Sequence, residues 1–514
     1  MKNKYYFRIA IISLLVVLCA CKKETSAVPL QSEDYCASVD RNDTLSLSKA
    51  LVGVKDKMKS KTGVYVLEDG GFSLVTRAWF TSYAEQSIDV QYFIFSTDNV
   101  GLIACDYLVR AADRGVKVRL LVDDFLVRAR IEDILALNSH KNIQIKVYNP
   151  GVNLGAPLYK KVKKFTTDFR GANQRMHNKV FMVDEKLVIT GGRNIADEYF
   201  DYDHEYNFRD RDVLLIGNVV SDVKTSFEGF WNSSLSVSVV KLLQSETTTV
   251  YGEDVFDNLH QYACNPANFW PKVRENIDGF PVTFHNILKG GGIEWVESVS
   301  YISDLPGKND GSQGLGGSGV CTDALIEMVE KAKHSIDIQT PYLVTTELAQ
   351  GLFKAAIDRG VKIRILTNSL LSTDNVEAFS SYQSSRKELL KTGVEVYEFR
   401  PDAEERMRIM TGELHKVVDN LPVFGLHAKS MIIDGKITVI GTFNLDPRSA
   451  NLNTECIAVI HSENITKKVA SGMELEFAPE NSWHVTNDFN PDSKVKTAKR
   501  MKTWSRKVLP KSIL

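Results

Sequence analysis

Two stretches of the chain repeat one arrangement of reactive and small side chains. His177, Lys179, Asp184, Gly191 and Asn194 are spaced as are His427, Lys429, Asp434, Gly441 and Asn444. At ordinary residue frequencies one such match arises by chance in about one of 10^4 chains of this length, so two in one chain mark a duplication. A neutral histidine can attack phosphorus, and a protonated one can donate to a leaving oxygen. Lysines neutralise the non-bridging oxygens of a phosphodiester as charge moves in the transition state, and Asn194 and Asn444 can add phosphate-binding hydrogen bonds there. One histidine per copy therefore supplies both roles, with no cofactor and no metal ion required. The expected catalytic set is His177, His427, Lys179, Lys429, Asp184 and Asp434, the two aspartates chiefly by organising the turns in which they stand. Imidazole works best when a carboxylate orients its other nitrogen, and Glu455 and Asp212 are placed for this. A histidine pair in opposite protonation states predicts a bell-shaped pH dependence.

The duplication extends to the elements that must position these residues. Ser87–Gln91 matches Ser335–Gln339, and Asp113–Leu120 matches Asp358–Ile365. Alternating β-branched residues over 87–95 predict a strand, helical spacing follows from about Gly101 to Arg114, Gly115 ends it, and Val116–Val122 predicts the next strand. This strand, helix, strand unit belongs to parallel sheets. Later strands are predicted at Gln144–Tyr148 and Val394–Phe399. Each motif then lies on a hairpin, Lys179–Val183 with Leu187–Thr190 and Lys429–Ile433 with Thr438–Ile440, turning at Asp184 and Asp434. Residues two apart on a strand share a face, so each His and Lys pair projects to one side. The expected fold is α/β, with two similar halves, each a mixed, mostly parallel sheet flanked by helices, packed with pseudo-two-fold symmetry. The halves are expected at 66–285 and 321–485, joined by a Gly-rich connecting segment at 286–320 and preceded by an arm and helix at 21–65.

At 514 residues and 43% hydrophobic composition the chain has ample material for buried cores. Lys2, Lys4 and Arg8 precede an apolar run from Ile9 to Ala20, too short to span a bilayer but suited to a signal peptide over residues 1–20. Leu18-Cys19-Ala20-Cys21 resembles a bacterial lipoprotein box, which implies lipidation of Cys21 and a lipid-anchored protein of the cell envelope. Lys22 after Cys21 resembles an outer-membrane lipoprotein. Loss of three lysine and arginine charges with residues 1–20 moves the formal charge from −1 to −4, so no strong whole-protein field results. Two basic stretches remain: Lys160, Lys161, Lys163 and Lys164, and the tail from Lys494 to Lys511, whose mixture with Trp504 and Val508 suits an anionic membrane surface or a solvated terminus. Export would permit a disulfide such as Cys36 with Cys264, although spacing does not reveal connectivity.

The duplicated motifs resemble those of the phospholipase D superfamily at every fixed position, over about residues 70–480. Ile88–Phe93, Ala111–Val116, Gly191–Phe200 and Gly441–Ser449 are more specifically similar to bacterial cardiolipin synthases. The resemblance implies a phosphatidyltransferase that joins two phosphatidyl units through glycerol, with a covalent phosphohistidine on the N-terminal histidine. His177 would be the nucleophile and His427 the general acid, then base, roles that sequence symmetry alone does not assign. Family members often carry transmembrane helices, where this chain offers a lipoprotein-like anchor. The expected partners are phospholipids at a membrane surface, and no nucleic acid, since a nuclease needs a basic groove along its substrate. The alternatives are a phospholipid-hydrolysing phosphodiesterase, then a nuclease, and more remotely a non-catalytic envelope lipoprotein.

Overall fold

The computed structural model describes residues 46–124, 131–151, 153, 167–243, 254–265, 267–268, 271–308, 314–409, 422–508 and 510–511. The signal-like segment with Cys21, Cys36, the lysines at 160–164 and His415 lie outside them. Ten strands fall before residue 297: β1 (Thr62–Leu67), β2 (Ser87–Tyr92), β3 (Lys117–Asp123), β4 (Ile143–Tyr148), β5 (Val180–Val183), β6 (Leu187–Gly191), β7 (Tyr206–Arg209), β8 (Asp212–Gly217), β9 (Ser236–Ser238) and β10 (Glu294–Val296). Nine follow: β11 (Val299–Ser303), β12 (Ser335–Gln339), β13 (Lys362–Asn368), β14 (Glu395–Phe399), β15 (Val423–Leu426), β16 (Ser430–Ile433), β17 (Ile437–Gly441), β18 (Cys456–His461) and β19 (Ser482–Val485).

These strands form one plan twice. The first sheet runs β10-β1-β8-β6-β5-β2-β3-β4-β9 and the second β11-β18-β17-β16-β12-β13-β14-β19. In each, three strands are parallel, β2, β3, β4 and β12, β13, β14, and the rest pair antiparallel. The helix Asn99–Asp113 is the predicted crossover. Asp98 caps it by accepting from Gly101 N at 3.0 Å, and Gly115, at φ 98°, ends it in the left-handed region that glycine adopts without strain.

Burial of both faces of each sheet explains why the strands are almost continuously apolar. On β8, Leu214 and Ile216 face outward into the core beneath the helices of the first half, whereas Val213 and Leu215 face the second half. There they join Ile432, Ile440, Ala458, Ile460, Val469 and Met473 in one shared core. The halves also exchange backbone directly, as β7 and β15 pair in parallel in a separate two-stranded sheet.

One expectation fails here. The segment 286–320 is not a plain connector, because β10 edges the first sheet and β11 the second, and the chain passes between them at Glu297 and Ser298. Strands of three and five residues with polar positions carry too short a pattern to stand out beside the glycines. Among the described residues no helix is long and apolar enough to cross a membrane.

Candidate active site

Each motif histidine follows a short extended run and precedes its hairpin, so its position depends on what grips it from outside. The grip comes from the opposite half. His177 N donates to Thr454 O at 2.9 Å, and the next residue, Glu455, sets Oε2 2.8 Å from His177 Nδ1. His427 N donates to Arg209 O at 2.8 Å, and the next residue, Asp210, sets Oδ2 2.6 Å from His427 Nδ1. A dipeptide from each half thus holds the main chain and the ring of the other half's histidine.

Glu455 lies against a motif histidine, that of the other half. Asp212 does not touch a motif histidine. Its carboxylate lies 2.8 Å from Arg77 and 3.4 Å from Arg193 and accepts from Ser73 Oγ at 3.0 Å, inside the first half. The reason is register. Gly191 pairs with Asp212 and Gly441 with Ile457, so the positions two residues earlier, Asp210 and Glu455, are equivalent. Counting back from the apolar cores of β8 and β18 would have found Asp210.

Asp184 and Asp434 also lie away from the imidazoles, at the far ends of β5 and β16, about 16 Å along the strand from the lysines. Asp184 accepts from the backbone of Glu85, Gln86 and Ser87 at 2.9, 2.7 and 3.0 Å, and Asp434 from Lys333, His334 and Ser335 at 2.9, 2.7 and 3.0 Å. Asp184, Glu185, Asp434 and Gly435 all have positive φ, so the first two residues of each three-residue turn, between Val183 and Leu187 and between Ile433 and Ile437, lie in the left-handed region. The two aspartates tie each hairpin to the start of β2 and β12, and they are not in contact with the reacting centre.

The lysines are buried beside their histidines. Lys179 Nζ donates to His177 O at 2.9 Å, and Lys429 Nζ donates to His427 O at 2.5 Å while standing 2.9 Å from His427 Nδ1. With Asp210 this close, Nδ1 carries a proton, so the approach of Lys429 to that nitrogen is a charge contact and not a hydrogen bond. The motifs act on each other: Lys429 depresses His177, and Lys179 depresses Lys429. Asn194 accepts from Ile94 N at 3.1 Å, leaving its amide protons for other partners, and Asn444 is buried with Oδ1 unpaired among the described residues.

Burial sets the electrostatics. It drives His177 well below its ordinary value, with Lys179, Lys429 and Arg448 adding to the effect, and it pushes Glu455 up to about 7. His427 is brought to about 4 by burial and Lys429, against the pull of Asp210. Asp210 is held below the carboxylate range despite its burial, because His427 and Lys429 lie against it. Burial lowers Lys179 to about 8 and Lys429 to about 7. Hence the His177 carboxylate partner tends to neutrality, while the His427 partner keeps its charge.

The surroundings differ in the same sense. Phe93 meets the His177 ring at 5.2 Å, and Arg448, held by Asn173, acts on it. Around His427 stand Tyr199, Phe208 and Tyr342 at 5.1, 4.7 and 6.4 Å, with Asp374 accepting from Tyr342 Oη at 2.8 Å. Sequence reading missed these residues, since they lie outside the duplicated pattern. A buried network fixes the interface beneath: Arg209 meets Glu476 and Glu68, and Arg211 meets Glu68 at 2.8 Å and Ser430 at 2.8 Å.

Outside this site, Asp106, His260 and Cys264 gather within reach of one another among the described residues. Cys264 is disulfide-bonded, which removes its thiolate as a metal ligand, and Cys105, Cys321 and Cys456 are free.

Two docked copies of one α/β half, each lending a carboxylate to the other's His and Lys pair, define a duplicated phospholipase D-like fold. The family model described as "Cardiolipin synthase, PLD-like domain" matches residues 81–231 and 325–475, and the chain belongs to this family. It is 35% identical over 428 residues to cardiolipin synthase C of Escherichia coli (strain K12), spanning 82% of this chain and 86% of that protein. It is 33% identical over 475 residues to an uncharacterized protein of Helicobacter pylori (strain J99), spanning 91% of this chain and 87% of that protein. The crystal structure of phosphatidylserine synthase from Haemophilus influenzae superposes with a TM-score of 0.55 at 13% identity, covering 91% of this chain and all of that one, a likeness of fold.

Proposed function

We propose that the protein is a phosphatidyltransferase that makes cardiolipin from phosphatidylglycerol and a second phospholipid through a phosphohistidine. The observation that carries this reading is the pair of histidines, each with Nδ1 on a carboxylate of the opposite half, which leaves Nε2 as the reactive nitrogen. His177 Nε2 attacks phosphorus, the bond to the head alcohol breaks, and His427 gives that oxygen its proton. A glycerol hydroxyl of phosphatidylglycerol then attacks phosphorus, His427 takes the hydroxyl proton, and the phosphorus–nitrogen bond breaks. The asymmetry described above supports these assignments. A nucleophile must be neutral, and His177 is depressed beside a partner that tends to neutrality. An acid needs its imidazolium stabilised, and Asp210 keeps its charge at His427. The phosphate anion of a bound substrate adds to that stabilisation and raises His427 from its value in the empty site. Lys179 and Lys429 would hold the non-bridging oxygens.

The same reading puts the protein at a membrane surface of the cell envelope, with acylated Cys21 as anchor, which the mass of the N-terminal peptide from purified protein would test. The reaction is tested by mass spectrometry of products from mixed micelles of phosphatidylglycerol and phosphatidylethanolamine, with His177→Ala and His427→Ala alongside. Cardiolipin made by wild type and lost in both variants is expected. Phosphatidic acid alone would make the protein a hydrolase, and no product from either lipid would overturn the reading.

A further inference from the structure

The tail beyond Lys494 is not a loose terminus. Thr497–Arg506 is a helix packed on the helix Val376–Lys391 and the loop before it. Its inner side is polar: Thr503 is buried, Lys499 Nζ donates to Thr373 O at 3.3 Å, and Arg506 pairs with Glu377 at 3.1 Å. Its outer side carries Met501 and Trp504, with Val508 just beyond, at 66%, 74% and 84% exposure. Spaced three and seven apart, these three lie on one face. Arg500, Lys502 and Lys507, all exposed, flank them. A helix on a globular body ordinarily turns its apolar stripe inward. This one is inverted, and an apolar ridge between cations is the pattern of a helix lying in a membrane interface.

We propose that this helix docks the protein on an anionic bilayer, with Met501, Trp504 and Val508 entering the headgroup boundary and Arg500, Lys502 and Lys507 on the lipid phosphates. A second copy of the chain fits the face poorly. Three side chains fall far short of the roughly 800 Å² per partner of a stable interface, and a two-fold contact would set the basic flank against itself. The position has a use. The loop that the helix covers, Thr373–Asn375, contains Asp374, which accepts from Tyr342 Oη beside His427. Docking therefore brings the His427 side of the site toward the membrane.

The test needs no turnover, so it is independent of the reaction proposed above. Full-length protein is bound to vesicles of phosphatidylglycerol and acyl-brominated phosphatidylcholine, and tryptophan quenching is compared between wild type and Trp504→Phe. Quenching that is present in wild type, lost in the variant and weakened by high salt is expected. Arg500→Glu with Lys507→Glu should reduce the docked fraction, about five-fold in partition per neutralised charge. Equal quenching in wild type and Trp504→Phe, or quenching of Trp504 that persists undiminished in purely zwitterionic vesicles, would overturn the proposal. Trp504 touches no part of the site, so activity in detergent micelles should be the same in Trp504→Phe, which checks its folding.

Discussion

Replacing Asp210 by Asn separates the two histidines by the work each does. The change keeps the shape of a fully buried side chain and removes the charge 2.6 Å from His427 Nδ1. A hydrogen bond to a charged group is worth about 1.5–3 kcal/mol, or about 10- to 150-fold in rate. Presenting the wrong tautomer to Nδ1 has cost an analogous triad about 10^4. Loss of Asp210 also removes a group that favours the charged form of Lys429, which already titrates near 7. The expected fall in kcat is therefore about 10^2- to 10^4-fold for phosphatidylglycerol, whose alkoxide must be protonated to leave. A phosphatidyl ester of p-nitrophenol needs no such proton, so Asp210→Asn should keep most of its rate of nitrophenolate release. Glu455→Gln, on the nucleophile's side, should slow both substrates alike. Burst kinetics with the two substrates make the comparison. If Asp210→Asn slows both equally and Glu455→Gln spares the nitrophenyl ester, the roles of His177 and His427 are reversed. Asp212→Asn is the companion control. It breaks a buried pair with Arg77, a loss of about 3–5 kcal/mol in stability, and the folded fraction should keep the wild-type dependence on leaving group.

Other outcomes follow from the same geometry. In the pH profile of kcat/KM, which reports the free enzyme, activity should decline above about 4, where His427 loses its proton, and more steeply between about 7 and 8, where Lys429 and Lys179 lose theirs, with the acid limb well below the ordinary histidine value of 6.5, where His177 gains one; a steepening between 7 and 8 that is unchanged in Lys429→Arg would contradict this. Asp184→Ala orphans three backbone N–H groups and should lower stability by about 2–4 kcal/mol, read as a shift in Tm, with kcat of the folded protein nearly unchanged; a hundred-fold loss of kcat at full folding would restore it to the catalytic set. At Gly425 a Cβ would sit 1.7 Å from Tyr206 Oη and 2.8 Å from Ser372 O, so Gly425→Ala should part β7 from β15 and lower both Tm and activity; an unaltered Tm would show that this crossing strand pair is dispensable.

Local patterns in the sequence carried much of this arrangement. The spacing of two between His and Lys, the short apolar runs of β5, β6, β16 and β17, and the Asp-Arg-Gly before β3 and β13 are each written within a few residues, and each led to the observed element. What crosses between halves was not legible. Asp210 and Asp212 flank one arginine and look equally suited to orient a histidine, and only the pairing of β6 with β8 separates them. The aromatic ring around His427 is assembled from Tyr199, from Phe208 on β7 and from Tyr342, which no periodicity links. β10 and β11 are too short to announce themselves, yet they decide where one half gives way to the next.

The dipeptides Arg209-Asp210 and Thr454-Glu455 make competence a property of the whole chain. A nascent polypeptide that has completed only its first sheet holds His177 with no carboxylate on its ring and no acceptor for its amide, since both lie more than 250 residues downstream. The same holds for His427 in a fragment that begins after β8. Under the reaction proposed above, a lipid-cleaving site is thereby disarmed until synthesis is complete, and a protease that cuts between the halves and lets them part would switch it off without touching either motif.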